Sequence, residues 1–324
     1  MVFKVLTPAI AIMTVYGTYC YMTHSNPYIT LINAIYQPVK DALSFMEEER
    51  AGLEGRVQGT MTHPLIWGGI CMLLFVCLFQ AKDYLNRYHR TVLLSLLFLN
   101  VVFSGSRSAL LALLTSLIVI AVFGSFKIKR QFLIYSIVGG VAVVFALYQI
   151  PALSRYQELF ETTIFFWDED TSSDIRGSSV SMRLEQLEGS FNMIQDGAFF
   201  QGLGQGFIKY YSAAFGVHPI LKGFESLVFM AVVESGFLGL ILWLAFFFML
   251  YKMVIKLRIY KIIKSDLKIV GLKAFIIAYL LFTVFTGIQS TLYLYLVLYV
   301  ILLKGAAYGV EANDIKHLEL TKSK

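Results

Sequence analysis

Eight long runs of mostly apolar residues restrict this chain more than any other feature of it. They cover residues 5–22, 63–80, 91–103, 107–123, 132–150, 226–251, 272–288 and 290–303. A helix needs about 20 such residues to cross a hydrocarbon core about 30 Å thick. The third and eighth runs are short. Only Ser104-Gly105-Ser106 separates the third from the fourth, and only Gln289 separates the last two. Both junctions read as tight helical hairpins near a membrane face, because small side chains let two backbones approach closely. Composition agrees: hydrophobic residues make up 57% of the 324 and charged residues 15%, against about 25% charged in an ordinary soluble chain. Mean hydropathy is +0.69. A soluble enzyme, a disordered tail and a repeat scaffold are all excluded, since a soluble fold has no room to hide so much apolar surface. The expected fold is an all-α polytopic membrane protein of about eight transmembrane helices, forming one domain over residues 1–324. Cys20, Cys71 and Cys77 lie inside apolar runs and form no disulfide framework.

Charge gives an orientation. With the N-terminus in the cytoplasm, 18 of the 27 Lys and Arg fall in cytoplasmic segments, seven of them between Lys252 and Lys273, and 9 face outward in much longer loops. Every short loop then obeys the positive-inside rule, and an even number of spans returns the C-terminus to the cytoplasm. The net charge of +6 is therefore a topological signal, and nucleic acid is not an expected partner. Two long segments face outward, residues 23–62 and 151–223. Loops of this length generally carry function. Within the second, Leu184, Leu187, Phe191 and Ile194 repeat at three- and four-residue steps and mark an amphipathic helix over 182–194. It either lies on the outer surface or covers the bundle. The first apolar run lacks a small-residue cleavage site, so no signal peptide is read from it.

The chain has no Gly-rich phosphate loop followed by Lys-Ser or Lys-Thr, no His pair at metal spacing and no Gly-x-Ser-x-Gly elbow. Metal and cofactor are both expected to be none. Gly202-Leu203-Gly204-Gln205-Gly206-Phe207 does not fit the dinucleotide fingerprint, and the five His are scattered. Three outward arginines are more informative. Arg56 precedes the second run, Arg107 opens the fourth and Arg183 opens the amphipathic helix. A cation beside hydrocarbon is costly and marks a site by default. Alone, Arg107 also fits a snorkelling anchor. Three such residues on one face suit an anionic substrate, because the planar guanidinium binds two phosphate oxygens at once and stays charged. Glu225 and Glu234 open and punctuate the sixth run. Glu234 there is either a structural partner or a substrate contact.

Several of these elements resemble the O-antigen ligase and polymerase family of bacterial envelope proteins. They are Gly105-Ser106-Arg107-Ser108-Ala109-Leu110-Leu111-Ala112, Arg183 followed by Gly202-Leu203-Gly204-Gln205-Gly206-Phe207, and Glu225-Ser226 followed by Glu234-Ser235-Gly236-Phe237-Leu238-Gly239. Arg56-Val57-Gln58-Gly59-Thr60 before His63-Pro64 resembles the family's earlier Arg-Gly element. The resemblance spans residues 56–303.

It implies a GT-C-like integral-membrane glycosyltransferase at the outer face of the bacterial inner membrane. Such an enzyme uses glycans on undecaprenyl pyrophosphate, with no nucleotide sugar and no essential metal. Residues 151–223 would form the catalytic loop. Arg107, Arg183 and Glu225 would be catalytic, and Arg56, Gly204, Gly206, His218 and Glu234 would bind the pyrophosphate or glycan. Ligases of the family carry His and Asn where this sequence has Glu225 and Ser226, which points to a repeat-unit polymerase for O-antigen, capsule or exopolysaccharide. An O-antigen ligase, a protein O-oligosaccharyltransferase and, from another class, a flippase of lipid-linked glycan are the alternatives. A flippase is expected to spread polar residues through its spans, whereas these spans are nearly clean. Implied partners are the lipid-linked oligosaccharide, membrane lipid and a chain-length regulator. Relatives usually have more spans before the Arg-Gly element.

Overall fold

The computed structural model describes residues 2–35, 49–50, 53–80, 85–124, 149, 155–164, 180–195, 197–221, 226–259, 266–287 and 290–322. Among these residues the chain is helical apart from one hairpin of two-residue strands. In order it forms α1 (Val2–Thr23), α2 (Pro27–Ile35), β1 (Glu49–Arg50), β2 (Leu53–Glu54) and α3 (Pro64–Gln80). Next come α4 (Arg87–Phe103), α5 (Arg107–Phe123), α6 (Arg155–Ile164), α7 (Val180–Asn192) and α8 (Phe207–Phe215). The last three are α9 (Leu227–Ile259), α10 (Asp266–Thr286) and α11 (Leu292–Lys322). The strands pair antiparallel with Glu49 opposite Glu54.

The all-α expectation holds, and the boundaries differ from the sequence spans for local reasons. Helix α4 starts at Arg87 because the Asn86 side chain caps it, accepting from the Tyr88 N–H at 3.1 Å. Helix α5 starts at Arg107 because Ser106 caps it, its hydroxyl accepting from the Ala109 N–H at 3.3 Å. Helix α11 runs well past residue 303, to Lys322. The sixth span is broken at Gly236 (φ 63°, ψ −162°). By length and apolarity, two described helices suffice to cross a membrane, Leu227–Ile259 and Leu267–Thr286, and Pro64–Gln80, Arg107–Phe123 and Leu292–Ala307 are shorter apolar helices. A 17-residue helix rises about 25 Å, so α3 and α5 need flanking residues to span the core. The run at 132–150 lies outside the described residues except for position 149.

The centre of the bundle is α3. A helix that is apolar all round belongs inside other helices, and every residue of α3 from Trp67 to Leu78 is buried. Helices α4, α5, α10 and α11 surround it, and α1 packs on α4. Close approach depends on small residues. A methyl group at Gly69 would stand 2.4 Å from the Phe282 ring of α10, and one at Gly68 would stand 2.5 Å from the Ser104 hydroxyl. Helix α5 packs on both α3 and α10, and its Ala109, Ala112 and Ser116 are all fully buried. In contrast, α9 turns Leu238, Leu242, Leu244, Phe248 and Met249 outward. In water such a row would be an aggregation site, and beside lipid it is a normal membrane face.

Candidate functional site

The candidate residues fall into two groups built on different elements. The first surrounds the turn between α4 and α5. Gly105 takes φ +60° there, a left-handed backbone that glycine adopts freely. The Ser104 hydroxyl donates to the Val101 carbonyl at 2.6 Å and accepts from the Ser106 N–H at 3.2 Å. Residues 56–57 lie along this turn as a brace. The Val57 N–H donates to the Phe103 carbonyl at 2.9 Å, and Arg56 Nε donates to the Ser104 carbonyl at 3.1 Å. Arg56 is only 1% exposed. Its guanidinium therefore lies beside the last carbonyls of α4, where a helix terminus favours a cation. Arg107 follows directly, half-buried, in the first turn of α5. Arg56 and Arg107 are thus brought to one turn from sequence positions 51 apart.

A polar network missed by sequence reading fixes this corner from behind. Asn100 is fully buried in α4. Its amide donates to the Thr14 carbonyl at 3.0 Å and the Leu96 carbonyl at 2.8 Å, and its oxygen accepts from the Trp67 indole N–H at 3.2 Å. Asn26 donates to the Gly59 carbonyl at 2.9 Å. Buried amides that are fully paired hold a unique packing. A lone Asn among apolar residues in the third run was the available signal.

The second group is built from α7, α8 and the first part of α9. The amphipathic helix read over 182–194 is α7, and α7 packs on α9. Arg183 Nη1 donates to Gln186 Oε1 at 3.1 Å, and buried Gln186 donates to the Ile220 carbonyl at 3.5 Å. The same loop is pinned by His218, whose Nδ1 accepts from the Ile220 and Leu221 N–H groups at 3.2 and 3.0 Å. Burial holds the His218 imidazole below its usual value of 6.5. Tyr211 of α8 packs on that ring at 5.3 Å.

The glycine-rich segment forms a strap across the break in α9. The Leu203 and Gly204 N–H groups donate to the Val233 and Glu234 carbonyls at 2.8 and 3.0 Å. In return, the Phe237 and Leu238 N–H groups donate to the Phe199 and Phe200 carbonyls at 2.9 and 3.2 Å. Two glycines make this possible. A methyl group at Gly202 would meet the Ser235 and Gly236 backbone nitrogens at 2.5 Å, and one at Gly236 would meet the Phe200 backbone at 2.5 Å. Both have positive φ. Glu234 then reaches α8: its Oε1 accepts from the Gly206 N–H at 3.2 Å and the Ile208 N–H at 3.4 Å. A carboxylate at a helix N-terminus satisfies amides that have no partner within the helix. Gly206 is the N-cap of α8, and Gln205 donates to the Ser235 hydroxyl.

The structural pairing considered for Glu234 is therefore present, as a cap on α8. Glu225 lies outside the described residues, while the adjacent Ser226 is buried and its hydroxyl accepts from the Val228 N–H at 3.1 Å. Sequence reading also missed α8, the Gly202–Gly236 contact and Gln186. The signal for Gln186 was its spacing of three from Arg183, which places both on one helical face.

The two groups share one stretch of family sequence. A family model described as O-antigen ligase matches residues 92–244. Residues 92–244 are therefore similar to the O-antigen ligase family. This ligase-family segment runs from α4 through the first part of α9 and contains Arg107, Arg183, Gly204, Gly206, His218, Glu225 and Glu234, whereas Arg56 lies before it. The resemblance read from the motifs is thus borne out over just under half of the chain. No curated protein and no solved structure matches the chain. The family match and the apolar helices together support an integral membrane protein.

Proposed function

We propose that the protein polymerises oligosaccharide repeat units carried on undecaprenyl pyrophosphate, for O-antigen, capsule or exopolysaccharide, at the outer face of the bacterial inner membrane. One substrate molecule donates its growing chain. A sugar hydroxyl of a second lipid-linked unit attacks the anomeric carbon from the face opposite the pyrophosphate. The new C–O bond forms as the bond to the pyrophosphate oxygen breaks, so the anomeric configuration inverts. The hydroxyl proton passes to Glu225, and undecaprenyl pyrophosphate leaves with the bonding electron pair. Negative charge grows on the leaving group during this step. Preorganised cations that meet that charge lower the barrier.

Arg107 and Arg183 take this role, with Arg56 beside Arg107. The carrying observation is the braced turn: Arg56 and the Val57 N–H fix the α4–α5 corner, so Arg107 leaves a rigid backbone at the start of α5. Gly204, Gly206, His218 and Glu234 shape the wall that faces the glycan. Both termini lie in the cytoplasm in this reading, as the charge distribution indicates.

The test is a strain deleted for the gene and supplied with Arg107→Ala or Arg107→Lys, with the surface polysaccharide run on a gel. Loss of one stabilising donor in a dry site costs a factor of about 10²–10³ in rate. A point ammonium does not reproduce two parallel bonds to phosphate. Both variants should lose the polymer ladder, retain single repeat units and remain in the membrane. A normal ladder from both variants would refute the role of Arg107.

A further inference from the structure

The end of the bundle away from the turn and the strap carries two lysines that helix termini alone do not explain. Helix α9 runs from the strap to Ile259, and α10 returns from Asp266. Lys252 stands seven residues before the end of α9, and Lys273 seven residues after the start of α10. At the helical rise per residue, both lie about 10 Å inside their helices. The Lys273 ammonium crosses to α9 and sits over the Tyr251 ring, 5.2 Å from its centroid, so the two lysines share one depth. Lys252 turns its own ammonium over the Phe248 ring, 5.0 Å from its centroid. Phe248 and Tyr251 are three residues apart on α9, and residues so spaced are neighbours on one helical face. That face is turned outward: Phe248 is 56% exposed, and Lys252 is exposed beside it. Two ammonium groups from two helices are thus set over neighbouring rings at an apolar surface.

Two like charges beside hydrocarbon are costly without an anion. The rings supply part of the attraction. Carboxylates of these helices do not supply the rest. The single carboxylate of α9 is Glu234, about 27 Å back along the axis from Lys252, and that of α10 is Asp266, about 10 Å along the axis from Lys273. Lys268 differs, because its ammonium donates to the Gly305 carbonyl of α11 at 3.4 Å. A snorkelling anchor extends along its own helix toward water, whereas half-buried Lys273 reaches across to its neighbour. The complementary group is therefore an anion held at this depth. Leu244, one turn before Phe248 and also 56% exposed, continues the stripe toward the middle of the bundle, so the anion is one that carries apolar chains.

We propose that Lys252 and Lys273 bind the phosphodiester of an anionic phospholipid, in the leaflet opposite the candidate site, with an acyl chain laid along Phe248 and Leu244. The ligand is a component of the bilayer and not a substrate, so the proposal stands apart from the polymerase reading. Basic groups between membrane helices are suited to such headgroups.

The test releases the full-length protein from a neutral maltoside detergent in a native mass spectrometer, with dioleoylphosphatidylglycerol titrated into the micelles, and reads the fraction carrying one lipid. The native protein should fill saturably. Dioleoylphosphatidylcholine, with the same chains and a zwitterionic headgroup, should need about tenfold more or beyond. Lys252→Gln, at an exposed position, should raise half-saturation about fivefold, and Lys252→Gln with Lys273→Gln about thirtyfold, from the attraction of each basic residue near a membrane surface. A Lys256→Gln, Arg258→Gln double variant removes the same charge from the end of α9 away from the two rings and should shift half-saturation by less than about threefold. Should the Lys273 variant fail to fold, the Lys252→Gln shift decides. Equal half-saturation in the native protein and Lys252→Gln would overturn the proposal. An equal shift in the Lys256 and Arg258 variant would overturn it too, by assigning binding to overall surface charge, as would equal binding of phosphatidylcholine. Displacement of the lipid by an equal concentration of glycerol phosphate would assign the lysines to a soluble anion and overturn the lipid.

Discussion

The turn before Arg107 and the strap over Gly236 both set polar groups beside an apolar helix, and they are built by opposite means. Around the turn, Arg56, Ser104 and Ser106 are all at most 1% exposed, and side chains from distant elements brace the backbone. Around the strap, Gly204, Gln205 and Gly206 are exposed, and the segment is held mainly by backbone bonds to the broken helix. The first arrangement fixes a charge in place. The second lies over α9 and is held by a few backbone hydrogen bonds, the kind of arrangement with low local stability. The proposed polymerase reaction would use both: a rigid cation for a leaving group that is the same in every cycle, and a wall held by fewer side chains for a glycan that lengthens.

Substitution at the strap should produce the largest structural effect. Gly236→Ala places a side chain at φ 63°, within 2.5 Å of the Phe200 backbone. The strain alone is worth about 1–3 kcal/mol, and the clash adds to it. The strap should detach, so trypsin should cut at exposed Lys209 well before the bundle unfolds. Equal protection of Lys209 in the variant and the native protein would contradict this account of the strap.

At the turn the effect should be smaller and global. Arg56→Met leaves the Ser104 carbonyl without its charged donor, a loss of about 1.5–3 kcal/mol. The thermal midpoint in detergent should fall while cleavage at Lys209 stays as in the native protein. Cleavage at Lys209 without a lower midpoint would mean the two regions are not built as described. Smaller again, Glu234→Ala removes a cap from α8 and should cost about 0.5–2 kcal/mol, read as faster amide exchange confined to α8. Glu234→Gln keeps an acceptor and should lie between.

The smallest effect concerns pH. Burial lowers the His218 pKa in the folded state below 6.5, so the unfolded state binds the proton more readily. Stability contributed by the neutral ring is complete above pH 6.5 and is lost as pH falls through the lowered folded value. Protonation would also remove the Nδ1 acceptor from the Ile220 and Leu221 amides. Amide exchange at 220–221 should therefore accelerate below pH 6.5. A His218→Ala variant should show no such step, and a step of equal size in it would assign the titration elsewhere.

Much of the architecture was legible in the sequence because lipid imposes a simple rule. A run such as 107–123 announces its helix by apolar length, while the capping Ser106 hydroxyl that fixes its first residue is seen only in the structure. A helix near 182–194 was legible from the three- and four-residue steps of Leu184, Leu187, Phe191 and Ile194, but the face it buries was not: Leu184 is 61% exposed, while Gln186 and Ser190 are buried. The break in α9 was not, because Gly236 sits within an unbroken apolar run and its cause lies in the strap 34 residues earlier. Helix α8 was hidden for a similar reason. It is nine residues long, too short to stand alone, and its N-terminus is capped by Glu234 from another helix. Arg56 and Arg107 were each legible as outward cations, whereas the bond of Arg56 to Ser104, three residues before Arg107, is a tertiary fact.

The central claim is that Arg107 serves a chain transfer whose leaving group is a polyprenyl pyrophosphate. The most direct measurement takes the purified full-length protein in liposomes with a single undecaprenyl-pyrophosphate-linked repeat unit and no other acceptor, and follows lipid and glycan products together. The account predicts glycans of two and more units, one undecaprenyl pyrophosphate released for each bond formed, and a rate lower by about 10²–10³-fold for Arg107→Ala. Glycan that stays at one repeat unit until a lipid A core or a protein acceptor is added, then moves to that acceptor, would contradict it.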